Sequence, residues 1–122
     1  MQRVILVDLD GTLNTYTGEY DPDSIPPPKP DTRQFLETAS KKYTLVLYTA
    51  RPTKLALDWL NTHNLTQYFD TISTKPSAFV SVDDRCLTFK GNYDEILKDL
   101  EKFTPYWKNH QENTLTNPSN LF

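Results

Sequence analysis

The chain has 122 residues, of which 37% are hydrophobic and 24% are charged, and both values are typical of one globular domain. The formal net charge of −3 argues against a general binder of nucleic acid or anionic membranes, because such proteins are usually basic. A single cysteine excludes an internal disulfide. No apolar run approaches the roughly 20 residues that span a bilayer, and the N-terminus lacks a signal-peptide pattern. We therefore expect a cytoplasmic protein without a membrane segment.

Strand-like and helix-like patterns alternate along the chain. Short aliphatic and β-branched runs predict strands, and amphipathic stretches with an apolar stripe predict helices. The predicted strands are residues 4–7, 43–49, 68–74 and 78–84, with a further short strand at 86–89. The predicted helices are residues 32–42, with Asp31 as its cap, a helix after Pro52 that ends near His63 and Asn64, and 92–103. This alternation predicts an α/β fold with a mostly parallel sheet, in which the runs 4–7 and 43–49 are buried on both faces.

Residues 14–30 form the longest irregular segment before the C-terminal tail, and they contain five of the nine prolines. The run at residues 26–28 indicates polyproline conformation, and Gly18 marks a turn or small hairpin. Long irregular segments inside compact domains are often functional, so we expect an ordered loop that serves as a small flap over a site.

Every predicted strand of the main sheet is followed by a side chain with useful chemistry. In open α/β sheets the site lies off the carboxyl ends of the strands, so these side chains should share one edge. They are Asp8 and Asp10, Thr49 and Arg51, Lys75, and Asp83 and Asp84. Aspartate is also a common turn residue, but turn preferences do not explain the accompanying Thr, Arg and Lys.

Several carboxylates at one edge repel each other and require a cation. Oxygen ligands without a nearby His or Cys favour Mg²⁺. A magnesium ion that faces Lys75 and Arg51 would create a binding site for a phosphate group. Asp8 then becomes a candidate nucleophile, because carboxylates can form aspartyl-phosphates. Asp10 lies two residues further on, close enough to act on the leaving group. Gly11 allows the chain to turn and bring backbone N–H groups near the transferred oxygens.

The segment "DLDGTL" resembles the first motif of the haloacid dehalogenase superfamily of phosphohydrolases. Three further features follow in the same order as in that family. They are a strand ending in Thr ("LVLYT"), a Lys in "TKP" and a strand ending in two aspartates ("FVSVDD"). The resemblance extends over about residues 4–103. It implies a Rossmann-like three-layer sandwich with the activity of a Mg²⁺-dependent phosphomonoesterase.

The resemblance also implies individual roles for the matching residues. Asp8 would be the nucleophile and a metal ligand, and Asp10 would be the general acid and base and offer its backbone carbonyl to the metal. Lys75 and Thr49 would contact the phosphoryl group as catalytic residues, and Asp84, with Asp83, would hold the metal directly or through water. The residues expected to contact the substrate are Gly11, Thr12, Ala50 and Arg51. Arg51 has two alternatives, since it can bind substrate or pair with a carboxylate such as Asp84.

The family often inserts a cap domain, for which this chain has no room. We expect a capless phosphatase core at residues 1–104 with residues 14–30 as its minimal flap, followed by a weakly ordered or docked tail at 105–122. The partner would be a phosphorylated small molecule or macromolecular end, and nucleic acid would enter only as such an end. A neighbouring subunit of a homodimer is another possible source of substrate contacts.

Other functions remain open from the sequence. A non-catalytic descendant that binds a metal or a partner has no need of Asp10 as a general acid. A phosphotransferase, mutase or dehalogenase of the same superfamily is a further alternative, although dehalogenases usually lack the second aspartate. A receiver domain is disfavoured, because its phosphorylated aspartate follows the third strand.

Overall fold

The computed structural model describes residues 2–108. The chain divides after Ala78 into two compact units, the first up to residue 78 and the second from Phe79 onward. The regular elements, in chain order, are β1 (Arg3–Val7), α1 (Thr32–Lys42), β2 (Tyr43–Thr49), α2 (Thr53–Thr62), a 3₁₀ turn (Thr66–Tyr68), β3 (Phe69–Thr74) and α3 (Tyr93–Lys102).

The first unit contains a three-stranded parallel sheet in the order β1-β2-β3, with β2 in the centre. Parallel neighbours require crossover connections, and here these crossovers contain α1 and α2. The prediction of an α/β fold with a parallel sheet is therefore confirmed at this level. The core consists of the apolar residues of β2 and the inward faces of both helices. Its fully buried members include Leu36, Leu45, Leu47 and Leu60.

The helices begin and end close to where the amphipathic pattern places them. Phe35, Leu36 and Ala39 form the buried stripe of α1, as predicted. Asp31 occupies the N-cap position of α1 but makes no side-chain capping hydrogen bond. Helix α2 ends with His63 at its C-cap, followed by Asn64 in the left-handed region at φ 58°, a conformation that Asn tolerates better than most residues.

The expectation that residues 4–7 are buried on both faces is wrong. Val7 is buried, but Val4 is 60% exposed and Leu6 is 58% exposed. Alternate residues of a strand point to opposite sides, so one face of β1 packs on the core while the other meets water. A run of aliphatic residues predicts a strand from its β-propensity alone. It does not tell whether a second layer covers that strand.

The irregular segment at residues 14–30 is ordered and lies against the body of the first unit. The backbone N–H groups of Thr15 and Lys29 donate to the carbonyls of Pro27 and Leu13, both at 3.0 Å, and these bonds close the base of the loop. Trp59 on α2 donates its Nε1–H to the Pro26 carbonyl at 2.9 Å. The proline run therefore has a fixed partner in the core, which agrees with the expected ordered loop, and its role as a flap stays a prediction.

The second unit contains α3, as predicted, but the predicted strands at 78–84 and 86–89 do not form. Phe79, Val80 and Val82 are largely or fully exposed there. A strand exists only as part of a hydrogen-bonded ladder, and among residues 79–108 of its own unit this segment has no strand to pair with. Asn92 is the N-cap of helix α3, and its Oδ1 accepts a hydrogen bond from the Glu95 N–H at 3.1 Å.

Within residues 2–108, no helix has the length and apolar character needed to cross a bilayer. Most of the predicted tail, from residue 109 on, lies outside the described residues.

The core position of Leu47 and the surface position of Leu57 allow a matched test of the fold. Leu47→Ala should lower the free energy of unfolding by roughly 2–5 kcal/mol, because it leaves a cavity in the central strand. Leu57→Ala, on the outer side of α2, should cost less than half as much. Urea denaturation of both variants measures the difference. Equal losses would contradict the described core.

Candidate functional site

The register of the sheet brings three predicted site residues to the carboxyl ends of the strands. Val7 pairs with Leu47, so Asp8 follows at the level of Tyr48. Thr49 pairs with Thr74, and the Lys75 N–H donates to the Thr49 carbonyl at 3.1 Å, which extends the ladder by one residue. The predicted meeting of Asp8, Thr49 and Lys75 at one edge follows directly from this pairing.

Asp8 and Lys75 form the more accessible of two ion pairs at this edge. Lys75 Nζ lies 2.7 Å from Asp8 Oδ1, and the two side chains are 31% and 35% exposed, respectively. The Thr12 hydroxyl donates to Asp8 Oδ2 at 3.3 Å. Tyr48 lies beneath the ammonium group, with Lys75 Nζ 5.6 Å from its ring centroid. Asp8 therefore keeps a surface that can be reached from solvent, which a nucleophile requires.

Asp10 and Arg51 form the second, deeper ion pair. Arg51 donates from Nε to Asp10 Oδ2 at 2.9 Å and from its second terminal nitrogen to Oδ1 at 3.0 Å. This is a bidentate contact, in which the planar guanidinium lies opposite the planar carboxylate. The Arg51 side chain is 1% exposed and the Asp10 side chain 19%. The alternative in which Arg51 pairs with a carboxylate is the one observed, but the carboxylate is Asp10.

Asn14 is a site residue that the sequence analysis missed. Its Nδ2 donates to Asp10 Oδ1 at 3.0 Å, while its Oδ1 accepts from the N–H groups of Gly11 and Tyr16 at 3.0 and 3.1 Å. Asn14 is fully buried, and Gly11 adopts φ +83°, a conformation that favours glycine. Asn14 thus ties the turn after β1 to the Asp10 carboxylate. A buried amide four residues after Asp10 has no distinctive sequence pattern, because Asn is common in loops.

Arg51 also connects the site to the loop at residues 14–30. Its other terminal nitrogen donates to the Asp21 carbonyl, and its Cζ lies 4.4 Å from the centroid of the Tyr20 ring. One buried cation therefore contacts a carboxylate after β1 and two successive residues of the loop. Removing it would break the contacts with Asp10 and with the loop at the same time.

The pKa of Asp10 reflects these contacts. Burial by itself would raise the pKa of this carboxyl, but hydrogen bonds from Arg51 and Asn14, together with the positive charges of Arg51 and Lys75, outweigh burial and lower it below the ordinary 3.8. For Arg51, the hydrogen bond to Asp10 raises the pKa of the guanidinium above its already high ordinary value. Both groups are accordingly charged at neutral pH.

The remaining residues with predicted site roles have different surroundings. Thr49 is buried, and its Oγ1 accepts from the Arg51 N–H at 3.1 Å. Ala50 is exposed beside it. In the second unit, Asp83 Oδ1 accepts from the Arg85 N–H at 2.9 Å, and Asp84 Oδ2 accepts from Trp107 Nε1. The Trp107 hydrogen bond is the main cause that lowers the pKa of Asp84. That Asp83 and Asp84 serve as metal ligands stays a prediction.

The Asp8 carboxylate and the Asp10 carbonyl are oxygen atoms of the type that a hard cation binds, although they do not form a complete cage. Carboxylate and carbonyl oxygens are the ligands that Mg²⁺ takes in proteins. Asp8 offers a partly exposed carboxylate, and no main-chain N–H of residues 2–108 donates to the Asp10 carbonyl outside regular elements. In the same stretch of chain, no three His, Cys, Asp or Glu side chains are grouped as a metal site.

Weakening the Asp10–Arg51 contact should change the pKa of Asp10. We expect a pKa below 3.8 in the wild type and a higher value in Arg51→Lys, because an ammonium group cannot reproduce the bidentate contact. Carboxyl ¹³C NMR during an acid titration measures both values. Arg3→Lys, the same change on an exposed strand residue, is the control.

The same shift has a consequence for stability. A carboxyl whose folded pKa lies below its unfolded pKa stabilises the fold fully above the unfolded value, and this contribution is lost as pH falls through the folded value. The wild type should therefore lose stability below about pH 4, and Arg51→Lys should lose less over that range. An unchanged Asp10 pKa in Arg51→Lys would contradict the described pairing.

Comparison of the chain with protein-family models, with curated proteins and with solved structures finds no match.

Proposed function

We propose that this protein is a Mg²⁺-dependent phosphomonoesterase that works through an aspartyl-phosphate on Asp8. The observation that carries the proposal is the pair of adjacent ion pairs at one sheet edge, Asp8 with Lys75 and Asp10 with Arg51. If the Asp10–Arg51 pair had only a structural role, the fold would not need the more exposed Asp8–Lys75 pair at the same edge.

The charges of this cluster fit a phosphate ester together with a divalent cation. The two carboxylates and two cations have no net charge, and a phosphate dianion with a magnesium ion adds none. Either ion alone would leave an excess charge in a partly buried place, where charge is costly. The site is therefore expected to bind the cation and the phosphate more tightly together than separately.

The reaction would proceed in two displacements. An oxygen of Asp8 attacks phosphorus, the bond from phosphorus to the leaving oxygen breaks, and that oxygen takes a proton from Asp10. Water then attacks the phosphorus of the aspartyl-phosphate and gives a proton to Asp10, while the bond from phosphorus to Asp8 breaks and inorganic phosphate leaves. Lys75 lies 2.7 Å from the attacking carboxylate, where it can offset charge on the transferred oxygens.

The state of Asp10 differs between these two steps. In the pairing described, Asp10 is ionised and can accept the proton of the attacking water in the second step. To donate a proton in the first step, it requires a looser contact with Arg51.

The Thr49 hydroxyl accepts a bond from the Arg51 N–H and can donate its own hydrogen to a phosphoryl oxygen.

A magnesium ion bound by the Asp8 carboxylate and the Asp10 carbonyl would polarise the phosphoryl oxygens. The same proposal includes membership in the haloacid dehalogenase superfamily, with its three-layer sandwich and without a cap domain. Its support is the motif "DLDGTL", whose two aspartates are the two acids of the ion pairs.

Replacement of the nucleophile tests the function. Asp8→Asn should lower the rate of phosphate release from an aryl phosphate by roughly 10³-fold or more, because the amide cannot form the covalent intermediate. Asp58→Asn, the same change at an exposed helix position, is the control. Acid quenching and intact-mass measurement should detect a phosphorylated wild type and no phosphorylated Asp8→Asn. Equal rates for the two variants would refute the proposal.

Removal of the metal provides an independent test. Treatment with a chelator should abolish phosphate release, and added Mg²⁺ should restore it. Calorimetric titration of the wild type should also give tighter Mg²⁺ binding with inorganic phosphate present than without it. Full activity in excess chelator would exclude the role of the cation.

A further inference from the structure

Tyr20 occupies an unusual position in the loop at residues 14–30. One face of its ring lies on the buried Arg51 guanidinium, 4.4 Å from Cζ to ring centroid, yet the residue is 57% exposed. A tyrosine that only pinned the loop to the body would bury most of its ring. Here one side of the ring is used for the contact with Arg51, and much of the remainder is open to solvent.

The backbone next to Tyr20 is held in place. Arg51 fixes the backbone here. One of its terminal nitrogens donates to the Asp21 carbonyl, while its Nε and its other terminal nitrogen donate to the Asp10 carboxylate. Asp21 also pairs with Ser24 in an antiparallel bridge, and its Oδ1 accepts from the Asp23 N–H at 2.9 Å. A ring held in this way loses little conformational entropy when a ligand stacks on it.

Arg51 places this ring beside the acid that would act on the leaving group. The same guanidinium contacts the Tyr20 ring and both oxygens of the Asp10 carboxylate. A substrate with phosphorus at Asp8 and its leaving oxygen at Asp10 would have its organic part on the Asp10 side of the site, and Arg51 joins that side to the loop. Its first groups beyond the oxygen would then lie near the exposed part of Tyr20.

We propose that Tyr20 is a stacking platform for a planar aromatic group in the leaving part of the substrate, so that the preferred substrates are aryl or heteroaryl phosphates. This inference rests on the proposed phosphatase function. The exposed side of a tyrosine ring favours flat, unsaturated groups, because two π-systems stack with a large contact area and an offset geometry. A saturated ring of the same size is puckered and makes a poorer contact.

Two phosphonates of matched size separate stacking from catalysis. Phenylphosphonate and cyclohexylphosphonate contain a C–P bond in place of the ester, so their binding is independent of the leaving group's acidity. Titration calorimetry with Mg²⁺ present measures both. The wild type should bind phenylphosphonate at least roughly 5-fold more tightly, which is the lower end of the range for stacking on an aromatic side chain.

Three variants show whether Tyr20 causes the preference for phenylphosphonate. Tyr20→Leu should reduce the ratio of the two affinities to near 1, and Tyr20→Phe should retain the ratio because the ring is kept. Tyr106→Leu, the same change at an exposed tyrosine of the second unit, should leave it unchanged. In the wild type, nuclear Overhauser contacts should join the phenyl protons to the Tyr20 ring, a measurement that does not depend on whether Tyr20→Leu folds.

The outcomes distinguish this inference from the proposed function. No phenyl preference in the wild type, or a preference that survives in Tyr20→Leu, would overturn the platform while leaving the phosphatase assay to decide the function. Failure of both phosphonates to bind would overturn both. A phenyl preference that depends on Tyr20, in a protein without phosphatase activity, would support the platform and reject the reaction.

Discussion

A guanidinium with almost no contact with water lies at the carboxyl edge of the sheet, and its charge has to be balanced there. Arg51 meets this requirement through the Asp10 carboxylate, the Asp21 carbonyl and the Tyr20 ring. A buried cation that lost its carboxylate would be strongly destabilising, so the arrangement resists rearrangement. This one side chain contacts the turn after β1 and the loop at residues 14–30 from its own position after β2, and so joins all three within the first unit.

The two ion pairs of this edge differ in a way that matters for chemistry. Asp10 accepts two hydrogen bonds from Arg51 and one from Asn14, whereas Asp8 is paired with the flexible ammonium group of Lys75 and remains partly exposed. Lysine is a compact charge on a flexible stem, and it can shift toward an arriving anion more easily than a locked guanidinium can. The geometry thus combines one rigid acid with one accessible acid, and the accessible one is the nucleophile of the proposed reaction.

Much of the local structure could be predicted from sequence patterns. The limits of α1 and β2 agree with the amphipathic and β-branched runs, and α3 follows from its apolar spacing. The segment at residues 78–84 shows the limit of such reasoning. It has the composition of a buried strand, but a strand is a property of a pair of segments, and composition does not reveal whether a partner is present.

The candidate site divides in the same way. Local sequence patterns were enough to predict that acids follow the first strand, that Thr49 ends the second and that Lys75 follows the third, because strand ends and turn residues are local features. Three contacts emerge only when the chain has folded: Arg51 pairs with Asp10, the buried Asn14 donates to the same carboxylate, and the Tyr20 ring rests on the guanidinium. These contacts join residues that are far apart in the chain or hidden in a loop, and their partners are selected by packing and by the need to neutralise a buried charge, neither of which is written in any local pattern.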